Sequence, residues 1–167
     1  MAIRPLVYYP DPVLRRAAEP VLAFGRDLQV LAGDLLDTMK AAPGVGITAP
    51  HIGVLLRVTV IQLDGAQEPR TYVNPRILWS SDERIRHTEG SVSMPGVTEE
   101  IERPAHVRVC YQDTEGAEHQ EEAGGFMAVC LQHEIDQLDG VFWIDRLSRL
   151  RRERVIKRYE KLRRAKG

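Results

Sequence analysis

One stretch constrains the fold of this chain more than any other: Phe126 to Leu138, FMAVCLQHEIDQL, set between Gly124-Gly125 and Gly140. Its apolar residues recur at helical spacing, and Gly140 is placed to end the helix. The alanine, valine and leucine neighbours of its polar residues predict a helix buried through the middle of the fold.

The rest of the chain supplies what would surround such a helix. After an extended N-terminal run broken by Pro5, Pro10, Pro12 and Pro20, the residues Leu28, Leu31, Leu35, Leu36 and Met39 predict an amphipathic first helix. Asp27 is available near its start and Pro43-Gly44 lies beyond its end. A glycine-punctuated loop, PGVGITAPHIG, follows. Arg57 to Leu63, Thr71 to Trp79, and Val97 to Tyr111 with Pro104 interrupting, read as short antiparallel strands, and Asp113-Thr114-Glu115-Gly116 as a turn. From about Ser148 to Lys166 a third helix carries Leu150, Val155, Ile156, Tyr159 and Leu162 on one side and arginines elsewhere.

At 167 residues and 43% hydrophobic content the chain can bury one proper core, and no repeat or low-complexity linker divides residues 1–167, so a single domain is expected. A net charge of −1 offers no overall attraction to nucleic acid, but the sum hides an asymmetry. Residues 149–166 hold ten Lys/Arg against Glu153 and Glu160, so this segment carries +8 and the remainder −9. Cys110 and Cys130 sit in apolar surroundings without CxxC spacing and read as buried, reduced thiols. The start, MAIRPLVYYPDP, has no continuous apolar run, and no stretch approaches the roughly 20 apolar residues of a membrane span. A cytoplasmic protein without membrane association is expected.

Within the central helix, Gln132-His133-Glu134-Ile135-Asp136-Gln137 is half of a metal-binding motif. In HExxH, imidazoles at i and i+4 share a helix face and grip one ion, while the intervening glutamate serves as general base. Here His133 and Glu134 stand, but Gln137 offers only a neutral amide. Its nitrogen has no basic lone pair, and its carbonyl is a weak, hard donor for zinc or ferrous iron.

That motif is one of three ordered segments: GVGITAPHIG from Gly44 to Gly53, EGSVSMPG from Glu89 to Gly96, and QHEIDQLDG from Gln132 to Gly140. In this order and at these separations they closely resemble the signature motifs of the peptide deformylases, which remove the formyl group from the N-terminal formyl-methionine of nascent bacterial chains. The flanks PDPVLRRAAEPV and WIDRLSRLRRERVIKR resemble the family too, so the likeness spans essentially the whole chain. It implies an α+β fold in which antiparallel strands wrap a central helix carrying QHEIDQ, with further helices towards both ends. It also implies a substrate pocket bordered by Gly46, Gly90, Val92 and His133.

The same comparison exposes departures. The family's first motif has the form GxGLAAxQ, and this chain has Thr48 for an alanine and His51 for the glutamine. EGCLS becomes EGSVS, with Ser91 for the cysteine and Val92 for the leucine, and QHExDH ends in Gln137. In the family one thiolate and two imidazoles bind a divalent ion, typically ferrous iron, which acidifies the attacking water. The glutamate corresponding to Glu134 relays the proton, and the glutamine corresponding to His51 helps to stabilise the oxyanion. A serine hydroxyl stays protonated at neutral pH, so the set Ser91, His133 and Gln137 contains one good ligand where such sites use three. The expectation is no tightly held metal at these positions, with iron or zinc present only in a rearranged site.

Three readings of the new histidine stay open. His51 fills space and hydrogen-bonds Gln137 or Ser91 in a metal-free polar cluster. Alternatively His51 and His133, with Glu134 or Glu89, form a relocated two-histidine-one-carboxylate site, in which His51 and Glu134 would be the catalytic residues. In the third, Ser91 is a nucleophile with His51 or His133 as base. His87, His106 and His119 fall in strand or turn contexts as surface or edge residues. Glu89 resembles the family's motif glutamate, expected to hold a loop by charge-assisted hydrogen bonds. Asp136 is expected to cap or buttress, and Gly44, Gly46 and Gly53 to permit tight loop geometry.

Three functional readings follow. The first is a deformylase-like protein that binds N-terminal methionyl or formyl-methionyl peptides without efficient turnover. The second is a divergent metal-dependent deformylase or amidase using His51, His133 and Glu134. The third is a ribosome-associated protein. The resemblance implies contact of the basic C-terminal helix with ribosomal RNA through Arg151, Arg152, Lys157, Arg158, Lys161, Arg163 and Arg164, and favours a monomer.

Overall fold

The computed structural model describes residues 1–65 and 67–166. Three helices of eight or more residues run over Arg26–Ala41 (α1), Gly125–Leu138 (α2) and Arg149–Lys166 (α3). Seven strands occupy Gly46–Thr48 (β1), Val58–Ile61 (β2), Arg70–Ser80 (β3), Arg84–Ser91 (β4), Met94–Pro104 (β5), His106–Gln112 (β6) and Glu118–Gly124 (β7). They form an antiparallel sheet in the order β1-β2-β3-β6-β7 and a separate β4-β5 hairpin. This is the expected α+β arrangement, with α2 in its interior: from Ala128 to Leu138 only His133 escapes full burial.

The cores explain the placement. Ala128, Cys130, Leu131 and Ile135 of α2 pack onto Ile61, Tyr72, Val107 and Val109 of the sheet. Leu28, Leu31, Leu35 and Met39 of α1 cover Ile47, Val58, Val60 and Val73. Met94, Val97 and Ile101 of β5 meet Phe142, Trp143, Ile144, Val155 and Tyr159. Each large apolar side chain so buried contributes about 1.5–3 kcal/mol, which fixes α2 between the sheet and the hairpin.

Several elements differ from expectation. Gly25 occupies the N-cap of α1 without a side-chain hydrogen bond, and Asp27 sits in the first turn, where its charge favours the helix dipole instead of capping it. Strand β1 lies inside the glycine-rich loop. Strand β7, EHQEEAG, is an edge strand whose side chains find partners on the sheet: Glu122 with Arg108 of the neighbouring β6, and Glu121 with Tyr72 and Arg70 of β3, one strand further in. Its pairing does not need an apolar face, so no alternation marks it. Cys130 is buried, but Cys110 is half-buried, its Sγ accepting from Arg76 Nε at 2.8 Å.

Helix α3 buries only Val155 and Tyr159, leaving Leu150 and Leu162 exposed. It is strapped to β5 by Arg151, which donates to Glu99 Oε1 and Glu100 O at 2.7 Å, and by Arg158, which donates to Thr98 O at 3.2 Å. Arg163 reaches Tyr9 O at 2.9 Å. Three of the seven cations expected to face phosphate therefore serve the chain's own packing. Among the described residues no helix is long and apolar enough to cross a membrane.

Candidate functional site

The three motifs converge on one cavity of about 660 Å³. Its lining includes Gly46 from β1, His51 from the following turn, Gly90, Ser91 and Val92 from the end of β4 and the hairpin turn, and His133 and Glu134 from α2. Of the residues singled out in the sequence at the family's ligand, pocket and catalytic positions, all except Gln137 line it.

Gln137 is buried, and its Nε2 donates to Leu14 O at 2.7 Å. Ser91 Oγ accepts the Ser93 N–H at 3.1 Å and, among the described residues, makes no hydrogen bond to either imidazole. His51 does not bond Gln137 or Ser91, contrary to the space-filling expectation. The turn Ala49–Ile52 brings His51 to the N3 position of a capping box whose N-cap is Thr48. The Thr48 backbone N–H donates to His51 Nδ1 at 2.9 Å, and the Thr48 hydroxyl lies 3.0 Å from the same nitrogen. A nitrogen that accepts an amide proton carries none itself, so the neutral ring bears its hydrogen on Nε2. His51 Nε2 is buried with no partner. His51 thus offers a donor, not the lone pair that a metal requires.

His133 is held differently. Its Nδ1 is 2.8 Å from Glu89 Oε1, and Glu89 is gripped by Arg103 through Nε at 2.6 Å and Nη2 at 2.9 Å. Arg103 Nη1 donates to Asp136 Oδ2 at 2.9 Å, and Arg146 clamps both Asp136 oxygens at 2.7 and 2.9 Å. The result is a relay, Arg146-Asp136-Arg103-Glu89-His133, exposed at its Arg146 end and buried beyond it, joining α2 to the hairpin. Glu89 holds two strands and a helix together instead of a loop, and Asp136 buttresses as expected. Arg103 and Arg146 escaped the sequence reading. A signal for Arg103 was present: it shares the inward period-2 phase of Val97 and Ile101 on β5, and an arginine on that face must find carboxylates.

Burial would raise the Glu89 carboxyl, but hydrogen bonds from His133 and Arg103 outweigh it and bring it down to about 2. Glu134 goes the other way: burial, reinforced by Glu89 and opposed by His133 and Arg103, pushes it up to about 7. Burial, and then the neighbouring His133, lower His51 to about 3, so its ring is neutral across the physiological range. His133 is raised, because Glu134 and the bond to Glu89 outweigh burial.

Glu134 Oε1 is buried without a partner. Its Oε2 lies where a Cβ on Gly46 would overlap it, so Gly46 is required for space beside Glu134 and not for a turn. Gly44 likewise leaves room for Val92, whose Cγ1 would be 2.8 Å from an added Cβ, whereas Gly53, at φ +81°, fits the turn reading. His87 stacks on Phe126, His119 bonds Asp113 at 2.8 Å, and His106 is exposed; none of the three lines the cavity. Among the described residues no three His, Cys, Asp or Glu side chains form a metal-holding group.

Comparison with known proteins bears on the family and the fold. A family profile described as polypeptide deformylase matches residues 3–153. A peptide deformylase-like protein of Brucella suis is 64% identical over 98% of this chain and 100% of its own length. A second Brucella suis protein, named peptide deformylase, is 47% identical over 97% of this chain and 94% of its own. The crystal structure of a peptide deformylase from Legionella pneumophila superimposes with a TM-score of 0.93 at 39% identity, covering 99% of this chain and 98% of that one. With three motifs gathered around one cavity, and sequence and fold matched almost end to end, this chain belongs to the polypeptide deformylase family.

Proposed function

We propose that this chain is a peptide-binding member of the family that has given up the usual metal site and, with it, efficient deformylation. Its ligands are N-terminal methionyl or formyl-methionyl peptides held in the cavity. One observation carries the reading: Gln137, at the family's last ligand position, lies off the cavity with its amide donating to Leu14 O. Ser91 supplies a neutral hydroxyl, which leaves His133 as the one donor at the three positions suited to iron or zinc. Losing a residue that merely orients a ligand costs about 10–100-fold in metal affinity, so the loss of two direct ligands removes tight binding. The two Brucella suis relatives support a division of labour, since one organism holds both a deformylase and a deformylase-like chain. The test is metal analysis of protein prepared without oxygen, alongside turnover of formyl-Met-Ala-Ser. Little metal and negligible turnover are expected; stoichiometric iron, zinc or nickel with measurable turnover overturns the reading.

A relocated metal site of His51, His133 and Glu134 is the competing reading, favoured by the unpartnered His51 Nε2 and Glu134 Oε1. It requires the Thr48 N–H to release Nδ1 so that the ring changes tautomer. The same metal analysis separates the two. Ribosome or RNA contact is a further reading, favoured by Lys157, Lys161 and Arg164, exposed on α3. Co-sedimentation with ribosomes that weakens as salt rises supports it, and absent or salt-insensitive binding counts against it.

A further inference from the structure

The N-terminal segment is a fixed wall of the cavity, and it brings there a cation that lies outside all three motifs. Four backbone N–H groups tie residues 2–9 down. Ala2 donates to Asp34 Oδ1 at 2.7 Å and Arg4 to Thr38 Oγ1 at 2.8 Å, both on α1. Val7 donates to His51 O and Tyr9 to Ser93 O, each at 2.8 Å. The segment thus runs from α1 past the His51 turn to the β4-β5 turn, and Ile3, Arg4, Pro5, Leu6 and Tyr8 line the cavity along it. Among the described residues, Arg4 is the one lysine or arginine in that lining.

The hydrogen bonds of Arg4 leave half of its fork open. Nη1 donates to Asp34 Oδ2 at 3.2 Å, and among the described residues Nε and Nη2 donate to no protein group. The Arg4 side chain is 41% exposed, whereas that of Asp34 is 7% exposed, so the pair is covered on the aspartate side and open on the arginine side. Arg103 shows what one guanidinium can hold in this fold: its Nη1 serves Asp136 while Nε and Nη2 together grip Glu89. Arg4 repeats the first half of that arrangement. Its Nε–Nη2 edge has the geometry that pairs with a second carboxylate through two parallel bonds.

Resting on the reading that the cavity takes N-terminal peptides, we propose that Arg4 sets their sequence preference: its open Nε–Nη2 edge pairs with the carboxylate of an acidic residue at the second or third position, while Nη1 stays on Asp34. A glutamine at the same place offers one neutral acceptor and no charge. Because the Arg4 side chain is partly solvated, the gain is that of a surface pair, a few-fold in affinity and screened by salt. The free C-terminus of a short peptide carries the same chemical group, whereas the start of a long chain presents only side-chain carboxylates.

The test is calorimetric titration at pH 7 and low salt with two pairs of C-terminally amidated peptides: formyl-Met-Glu-Ser against formyl-Met-Gln-Ser, and formyl-Met-Ala-Glu against formyl-Met-Ala-Gln. In at least one pair the glutamate peptide is expected to bind about threefold or more tightly. The gap should close as salt approaches about 1 M, where the screening length is about 3 Å. Arg4→Met should remove the gap, and Arg4→Lys, which keeps the charge without the fork, should keep only part of it. Should Arg4→Met fail to fold, the paired comparison and its salt dependence on the wild-type protein decide. Equal binding within both pairs, tighter glutamine peptides, or a gap that survives in folded Arg4→Met would overturn the Arg4 assignment alone. A gain for formyl-Met-Ala-Ser over its amide, with none for either glutamate peptide, would also overturn it, since the carboxylate recognised is then a chain end. No binding of any of these peptides would overturn the peptide reading itself.

Discussion

Thr48 and His51 are bonded to each other: the backbone N–H of Thr48 points at His51 Nδ1 from 2.9 Å and its hydroxyl lies 3.0 Å from the same atom. Two departures from the family pattern that look independent in sequence are therefore one structural unit. The backbone N–H at position 48 fixes which ring nitrogen of the histidine carries the proton, and the threonine hydroxyl adds a second polar neighbour to the same atom.

The ring should be neutral and Nε2-protonated from pH 8 down to about 4, since burial and His133 lower it to about 3. Nitrogen-15 NMR of the imidazole would check this, and a ring that titrates near its ordinary value contradicts it. The unfolded imidazole takes up a proton near 6.5 and the folded one does not, so this group's contribution to stability is full above that value and declines as pH falls from there towards 3.

Restoring metal binding should require both Ser91→Cys and Gln137→His. The double variant is expected to bind iron or zinc stoichiometrically, and each single one to remain below that level, because one exchange leaves a two-ligand site. Elemental analysis decides it. A folded double variant that stays free of metal would show that position 137 cannot be turned from Leu14 towards the cavity.

Arg103→Ala should cost about 3–5 kcal/mol, since it leaves Glu89 and Asp136 buried with part of their pairing gone. Arg103→Lys should recover only part of this, because an ammonium cannot reproduce the planar fork on Glu89. Urea denaturation of the three proteins measures both.

Gly46→Ala places a methyl group against Glu134 Oε2 and should destabilise by about 1–3 kcal/mol. In a Glu134→Ala background the same change should be nearly neutral. The non-additivity in that double-mutant cycle is the readout, and simple additivity would disprove the contact.

Glu99→Gln should cost less than about 1 kcal/mol, because its pairs with Arg151 and Arg158 lie at the surface. Arg151 first, then the Glu100 amide, hold the Glu99 carboxyl below its ordinary 4.5. Its small contribution is full above that value and is lost as pH falls through the lower folded one. Thermal melts of wild type and variant, run between neutral and acid pH, should converge at the acid end.

Much of the fold was legible because α1, α2 and α3 advertise themselves by periodic apolar residues, with glycines bounding α1 and α2. Strand β7 was not, since an edge strand with five polar residues ahead of Ala123 and Gly124 is stabilised by cross-strand partners that no local window contains. The site divides in the same way. Ser91, His133, Glu134 and His51 were legible through the resemblance of their three segments to the family's motifs. The orientation of Gln137 depends on Leu14, and the Glu89 clamp on Arg103 of another strand. Such partnerships depend on tertiary packing and leave no trace in spacing.

The relay running from Arg146 to His133 is anchored on residues that are not themselves at the two exchanged ligand positions. Framework and donor set are accordingly separate modules. Ser91 and Gln137 occupy ligand positions without loosening the scaffold that aims His133, so a descendant chain could lose or regain the chemistry while its architecture stayed intact.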